Sequence, residues 1–448
     1  MKERMEPDCR ESTRMELLSP AGTFEKLQAA CAYGADAAYM GLTSFSMRAG
    51  AGNFDEHVRE ELHAWKKSLA GQGKKLYCTL NTVLHESRLD EMKAVISSLG
   101  DWPFDAYIVS DLGVASLLKE RYPDCSLHLS TQASCLNSVA LRVYRNMGFS
   151  RIVLGREATL ADIKMMKDAV PAMELEVFIH GAMCMAYSGR CLLSSFMAGR
   201  SANEGACSHT CRWNYRLALE EKERPGVYYP IEEYEDYTTI LSSKDLNMID
   251  HLKDLQESGV TSLKIEGRMK SVYYTAVVTR AYRKALDALY GLGDSKDWQA
   301  YKEDLERVSH RAYTTGFFFD SGPVEDARAA KKHAQGHAKD TLQQFEAGSG
   351  YIRAYTFLGT VKDEVAPNIW SLDIKNKIST DWKIEYIGPH VPFIEDDDFT
   401  LLDENKEATS SVSHGHAGYL YSNRPIESGF MIRTLMDDES APITGTQA

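Results

Sequence analysis

Between residues 15 and 268, short apolar or β-branched runs alternate with amphipathic helical segments, and this alternation leaves few folds open to the chain. Strands are expected at 15–21, 37–42, 75–81, 105–111, 126–131, 151–156, 175–180 and 262–266. Helical patterns follow most of them, as at 24–33 (capped by Thr23 and ended by Gly34), 89–98 and 160–169. Eight such units close a (β/α)8 TIM-like barrel, whereas an open doubly wound sheet would carry the same rhythm with fewer strands. In such a barrel the active site lies at the C-terminal strand ends. Polar residues recur there: Asn81, Asp111, Gln132, Arg156, Glu157, His180, Glu266 and Arg268. Any one of them could simply cap the next helix, but recurrence at nearly every strand favours a site.

The barrel is assigned residues 15–328, preceded by an N-terminal extension over 1–14 and carrying helices at 272–290 and 298–309. A polar, charged, Gly-containing stretch at 329–350 reads as a linker. Beyond it the pattern changes to short β-type runs at 351–361, 369–374, 383–388 and 419–422, so residues 351–448 are expected to form a small all-β, barrel-like domain with a polar tail.

Nine cysteines are present, and four of them, Cys184, Cys191, Cys207 and Cys211, fall within 28 residues as C-x6-C-x15-C-x3-C in an insert over 181–217. No apolar leader opens the sequence and no run approaches the roughly 20 apolar residues that cross a bilayer, so a cytoplasmic protein without a membrane partner is expected. In that compartment clustered thiols are a liability unless they serve a purpose. Four thiolates can hold an iron–sulfur cluster or close a zinc site. Neither pair has the CxxC gap of a zinc knuckle, which moves weight towards the cluster and leaves zinc, or no metal, as alternatives. Cys31, Cys78 and Cys125 sit in apolar patterns and read as small core residues.

The formal charge of −13 speaks against a nucleic-acid partner until its distribution is considered. From Asp340 onward there are 8 Lys and Arg against 18 Asp and Glu, so the acidity belongs mostly to the tail. The barrel remains free to carry a local basic surface.

The segments MELLSPAGTFEKLQAACAYGADAAYMG, HGAMCMAYSGRC and SLKIEGRMKSVYYTAVVTRAYRKALD together resemble peptidase family U32, the collagenase-like peptidases. The similarity covers about residues 15–290 well and the tail more loosely, where NKISTDWKIEYIGP departs from the family phrase at its Phe and Gly positions. The resemblance implies one of three activities: proteolysis, oxygen-independent hydroxylation of a quinone precursor, or 5-hydroxylation of a pyrimidine in RNA. The GRCLLS and CRW phrases look most like the tRNA wobble-uridine branch, which implies tRNA as partner, prephenate as a small dicarboxylate cosubstrate, and a [4Fe–4S] cluster on Cys184, Cys191, Cys207 and Cys211.

A protease needs an activated nucleophile or a metal-bound water. The sequence has no G-x-S-x-G elbow, and His85-Glu86 meets Leu89 where H-E-x-x-H needs its second histidine. His180 is left as a general base, a substrate ligand or a buried structural histidine, and Glu266 as its catalytic companion. Alternation sends Lys264, Glu266 and Arg268 to one face, either as a self-neutralising row or as an anion site for a dicarboxylate or RNA phosphate. Arg212-Trp213 could stack on a splayed base, or Trp213 could be core. The remaining readings are a peptidase, or a non-catalytic RNA-binding scaffold braced by a metal. The face around Arg212, Lys264 and Arg268 is expected to meet the RNA. The acidic domain would orient the substrate, bind a partner protein or cover the mouth, so a chain ending near residue 335 is expected to keep both cluster and RNA binding.

Overall fold

Strands buried on both faces signal a parallel sheet wrapped by helices, and Ala37–Gly41 and Ala106–Val109 are buried at every residue. The computed structural model describes residues 14–45, 54–184, 190–204, 206–212, 218–220, 228–230, 244–292, 298–319 and 351–435. Residues 1–13, the expected linker at 329–350, the end of the chain from 436, and Trp213 lie outside the described residues.

The eight barrel strands are β1 (Glu16–Pro20), β2 (Ala37–Gly41), β3 (Lys75–Leu80), β4 (Ala106–Val109), β5 (Leu127–Leu129), β6 (Phe149–Val153), β7 (Glu174–Ala182) and β8 (Ser262–Ile265). They pair in parallel and in chain order, and β8 bonds to both β7 and β1, so the sheet is a closed barrel and not an open one. The helices Leu89–Ser98 and Leu160–Ala169 stand where their periodicity put them. The helix expected over 298–309 ends earlier, at Glu303, and a tighter turn, Asp304–Glu306, follows. A short strand, Asp245–Asn247, lies antiparallel on the end of β7, and Tyr313–Thr314 pairs with it in turn. Elements of two or three residues carry no readable period.

The barrel interior is less apolar than its surroundings. Tyr77 donates to Glu16 at 2.7 Å, Arg151 pairs with Glu16 at 2.5 Å and Glu176 at 3.2 Å, and Lys264 pairs with Glu176 at 2.8 Å. Burial opposes ionisation of Glu176, but Lys264 and Arg151 overcome it and hold its carboxyl down at about 2. This ionic layer fills the barrel below the strand ends.

The tail forms an eight-stranded antiparallel sheet around its own core of Leu358, Val361, Ile374, Ile384, Tyr386, Leu401, Leu420 and Ile432. Strand Met431–Leu435, which sequence reading passed over, lies between Ile384–Ile387 and Tyr355–Ala366 and bonds to both. Its Arg433 is fully buried, pairing with Asp304 of the barrel at 2.9 Å and with Glu385 at 2.7 Å, and donating to the Tyr273 hydroxyl at 3.2 Å. Arg280, on helix Val272–Leu289, also pairs with Asp304 and donates to the Gly388 and Val391 carbonyls at 2.6 and 2.7 Å. Tyr33, which caps helix Phe24–Ala32, donates to the Ile387 carbonyl at 2.9 Å.

These contacts bear on two expectations. The tail rests on the barrel flank formed by these two helices, and no described tail residue lines the mouth cavity. A chain cut near residue 335 would strip Arg433 from Asp304 and expose the apolar partners of Ile387 and Met431, which pack in the barrel's own core. No helix among the described residues is long and apolar enough to cross a membrane.

Candidate functional site

The next-to-last residue of β7 limits where the chain can go next. Gly181 has φ +99, and a Cβ there would stand 2.7 Å from the Glu266 carbonyl oxygen and 2.9 Å from the Tyr274 hydroxyl. Glycine alone adopts that backbone comfortably, and the cysteine insert begins just beyond it. There a cavity of about 150 Å³ opens, lined by all four of Cys184, Cys191, Cys207 and Cys211 and by side chains from the surrounding strand ends. None of the described cysteines is in a disulfide; Cys184 is exposed and the other three of the quartet are half-buried.

The donor set suits an iron–sulfur cluster: four soft thiol ligands face one space, with His209 beside them. Among the described residues, no group of three or more His, Cys, Asp and Glu side chains stands close enough to hold a metal ion.

The strand ends supply the opposite wall. Lys264, Glu266 and Arg268 all line the cavity, as alternation requires. Each has a partner outside the row: Lys264 pairs downward with Glu176, Glu266 accepts from Arg156 at 3.2 Å, and Arg268 donates to Thr79 Oγ1 at 2.8 Å. Arg156 also stacks over Phe178, 3.8 Å from the ring centre. Lys264 is 4% and Arg268 3% exposed, so these two form an inner wall and not the outer RNA-contacting face expected of them. What they can touch is a group inserted into the cavity. Arg212 closes the turn Thr210–Arg212, and its side chain, like Trp213, lies outside what the structure describes.

Asn81 and Gln132 line the same space, linked through Ser130, which donates to Gln132 Oε1 at 2.9 Å. The Gln132 Nε2 is shielded from water and makes no hydrogen bond, an arrangement that costs about 1–3 kcal/mol unless a ligand oxygen satisfies it. Asp111 is elsewhere: it caps helix Leu112–Arg121, accepting from the Gly113 and Val114 amides, and does not line the cavity. His180 is also apart. A register shift between β7 and β8 sets Ile265 opposite His180, and the imidazole packs among Tyr274, Tyr282 and Tyr313 behind the cavity wall. Burial lowers its pKa to about 3, so it stays neutral and is placed as a buried histidine, out of reach of a ligand in the cavity.

Sequence reading missed His209, Tyr39, Thr79, Ser130 and Asn203, all of which line the cavity. Thr79 had a signal: it precedes Asn81 by two residues at the end of β3 and so shares its face. His209, held at φ +56, carried the signal of its place between the last two cysteines.

Comparison with known proteins follows the same division. The model of peptidase family U32 matches residues 22–328, and that of the family's C-terminal domain matches 353–433. The chain is 34% identical over 411 residues to tRNA hydroxylation protein P of Escherichia coli K12, covering 84% of this chain and 86% of that protein. It is 38% identical over 278 residues to the 23S rRNA 5-hydroxycytidine C2501 synthase of the same organism, covering 62% of this chain and 40% of that protein. Collagenase of Porphyromonas gingivalis W83 is 31% identical over 361 residues, with 78% of this chain and 83% of that protein covered.

Proposed function

The chain belongs to peptidase family U32, and from that premise we propose that it is an RNA-hydroxylating enzyme, forming 5-hydroxyuridine at the wobble position of tRNA with prephenate as cosubstrate. One observation carries the reading: the four insert cysteines and the polar strand ends line a single cavity. A [4Fe–4S] cluster held by Cys184, Cys191, Cys207 and Cys211 would supply one-electron redox chemistry there. A cavity of about 150 Å³ is of the size that accepts one six-membered ring, so a target base would have to be splayed from its stack to enter. Arg268, Gln132 and Asn81 would meet the oxygens of that base or of the acidic cosubstrate.

The acidic tail, set on the flank, would repel phosphate from most of its surface and is better suited to a protein partner. The test is nucleoside mass spectrometry of tRNA from the host with and without this gene. Loss of 5-hydroxyuridine on deletion is expected; an unchanged content would overturn the proposal.

Arg268 offers a sharper check. Arg268→Lys keeps the charge but loses the planar fork and the reach to Thr79, so prephenate binding should weaken by about 1–3 kcal/mol, or roughly 5- to 150-fold in Kd by calorimetry. Normal affinity would assign Arg268 a structural role only. Proteolysis is the second reading, favoured by the collagenase relative and by His209 beside four thiols. It requires purified protein to cleave gelatin without added metal.

A further inference from the structure

We propose that Asn203 is the residue that sets the position of the Cys191 arm over the cavity. Its side-chain Nδ2 donates to the Cys191 carbonyl at 2.9 Å, and its backbone carbonyl accepts from the Val83 amide at 3.2 Å. Val83 follows the end of β3 and the cavity-lining Asn81, so Asn203 joins the cysteine arm to the barrel rim by two bonds at a single residue. It also lines the cavity itself. A separate tie, Ser194 Oγ accepting from the Ser208 amide at 3.0 Å, brings the Cys207 arm against the same helix, Leu193–Ala198. Of these bonds, the one that reaches the rim runs through Asn203. Asparagine suits the post because its amide can donate to a carbonyl; aspartate has the same shape but no proton to give, and its charge would repel that carbonyl.

The inference rests on the cluster reading only for what the arm serves, and its test separates the two. In full-length, metal-free protein, alkylation of each cysteine by iodoacetamide is followed by peptide mass spectrometry. Asn203→Asp should make Cys191 react roughly three- to tenfold faster, the consequence of losing a hydrogen bond of about 1 kcal/mol. Cys31 and Cys78, deep in the barrel core, should keep their wild-type rates. In metal-loaded protein the same variant should release iron to a chelator faster, and Asn203→Ala should behave alike in both assays. A wild-type rate at Cys191 in both variants would overturn the proposal. So would acceleration at all cysteines together, which would mark Asn203 as a residue of the general fold. Wild-type protein that never carries iron would instead defeat the cluster reading and leave the alkylation result standing.

Discussion

Serine in place of any one of Cys184, Cys191, Cys207 or Cys211 is expected to strip most of the iron from protein purified without oxygen. A serine hydroxyl stays protonated at neutral pH and is a hard, weak ligand where the metal needs a soft thiolate. All four thiols line the same cavity, so each replacement takes one ligand from a shared set. The fall in metal affinity should exceed roughly the 10–100-fold that altering a supporting residue alone produces. Serine at Cys31 or Cys78 should leave iron unchanged. Both are buried, and burial pushes each thiol up to about 12, so neither can offer a thiolate in exchange. Iron and sulfide assays with the visible spectrum near 400 nm read the outcome. Wild-type protein carrying stoichiometric zinc and no iron would contradict it.

Arg433→Ala should destabilise the folded chain by about 3–5 kcal/mol, the cost of breaking a buried ion pair from one side. The reason is local. Asp304 and Arg433 are both fully buried, and Glu385 shares the same guanidinium. Removing the arginine leaves two carboxylates facing each other, with Arg280 and Arg307 to divide between them. The effect should be largely insensitive to salt, because buried charges are poorly screened. Urea unfolding of wild type and variant measures it, and a loss below about 1 kcal/mol would show that the tail is only loosely seated. By the same reasoning a chain ending near residue 335 should fold poorly, against the expectation from charge alone.

The barrel was legible because strand and helix periods alternate over long, regular segments, and the cysteine quartet because four thiols in one short stretch have few explanations. Gln132, Arg156 and Arg268 were legible as strand-end residues on the right face. Asp111 deceived because an aspartate before Leu-Gly-Val is equally a helix cap, and the cap is what formed. His180 was left open between a catalytic, a ligand-binding and a buried structural role, because the register shift opposite Ile265 that turns it away from the cavity has no mark in the sequence. The seat of the tail could not be read at all. It depends on Arg280, Asp304 and Arg433, which lie far apart in the chain, and charged residues read singly look like surface.

Complementation asks whether the cysteine cavity carries RNA hydroxylation. A host lacking the gene is given wild-type, Cys31→Ser or Cys207→Ser protein at matched levels, and 5-hydroxyuridine in its tRNA is measured by mass spectrometry. Wild type and Cys31→Ser should restore the nucleoside, and Cys207→Ser should leave it absent. Full restoration by Cys207→Ser would contradict the account.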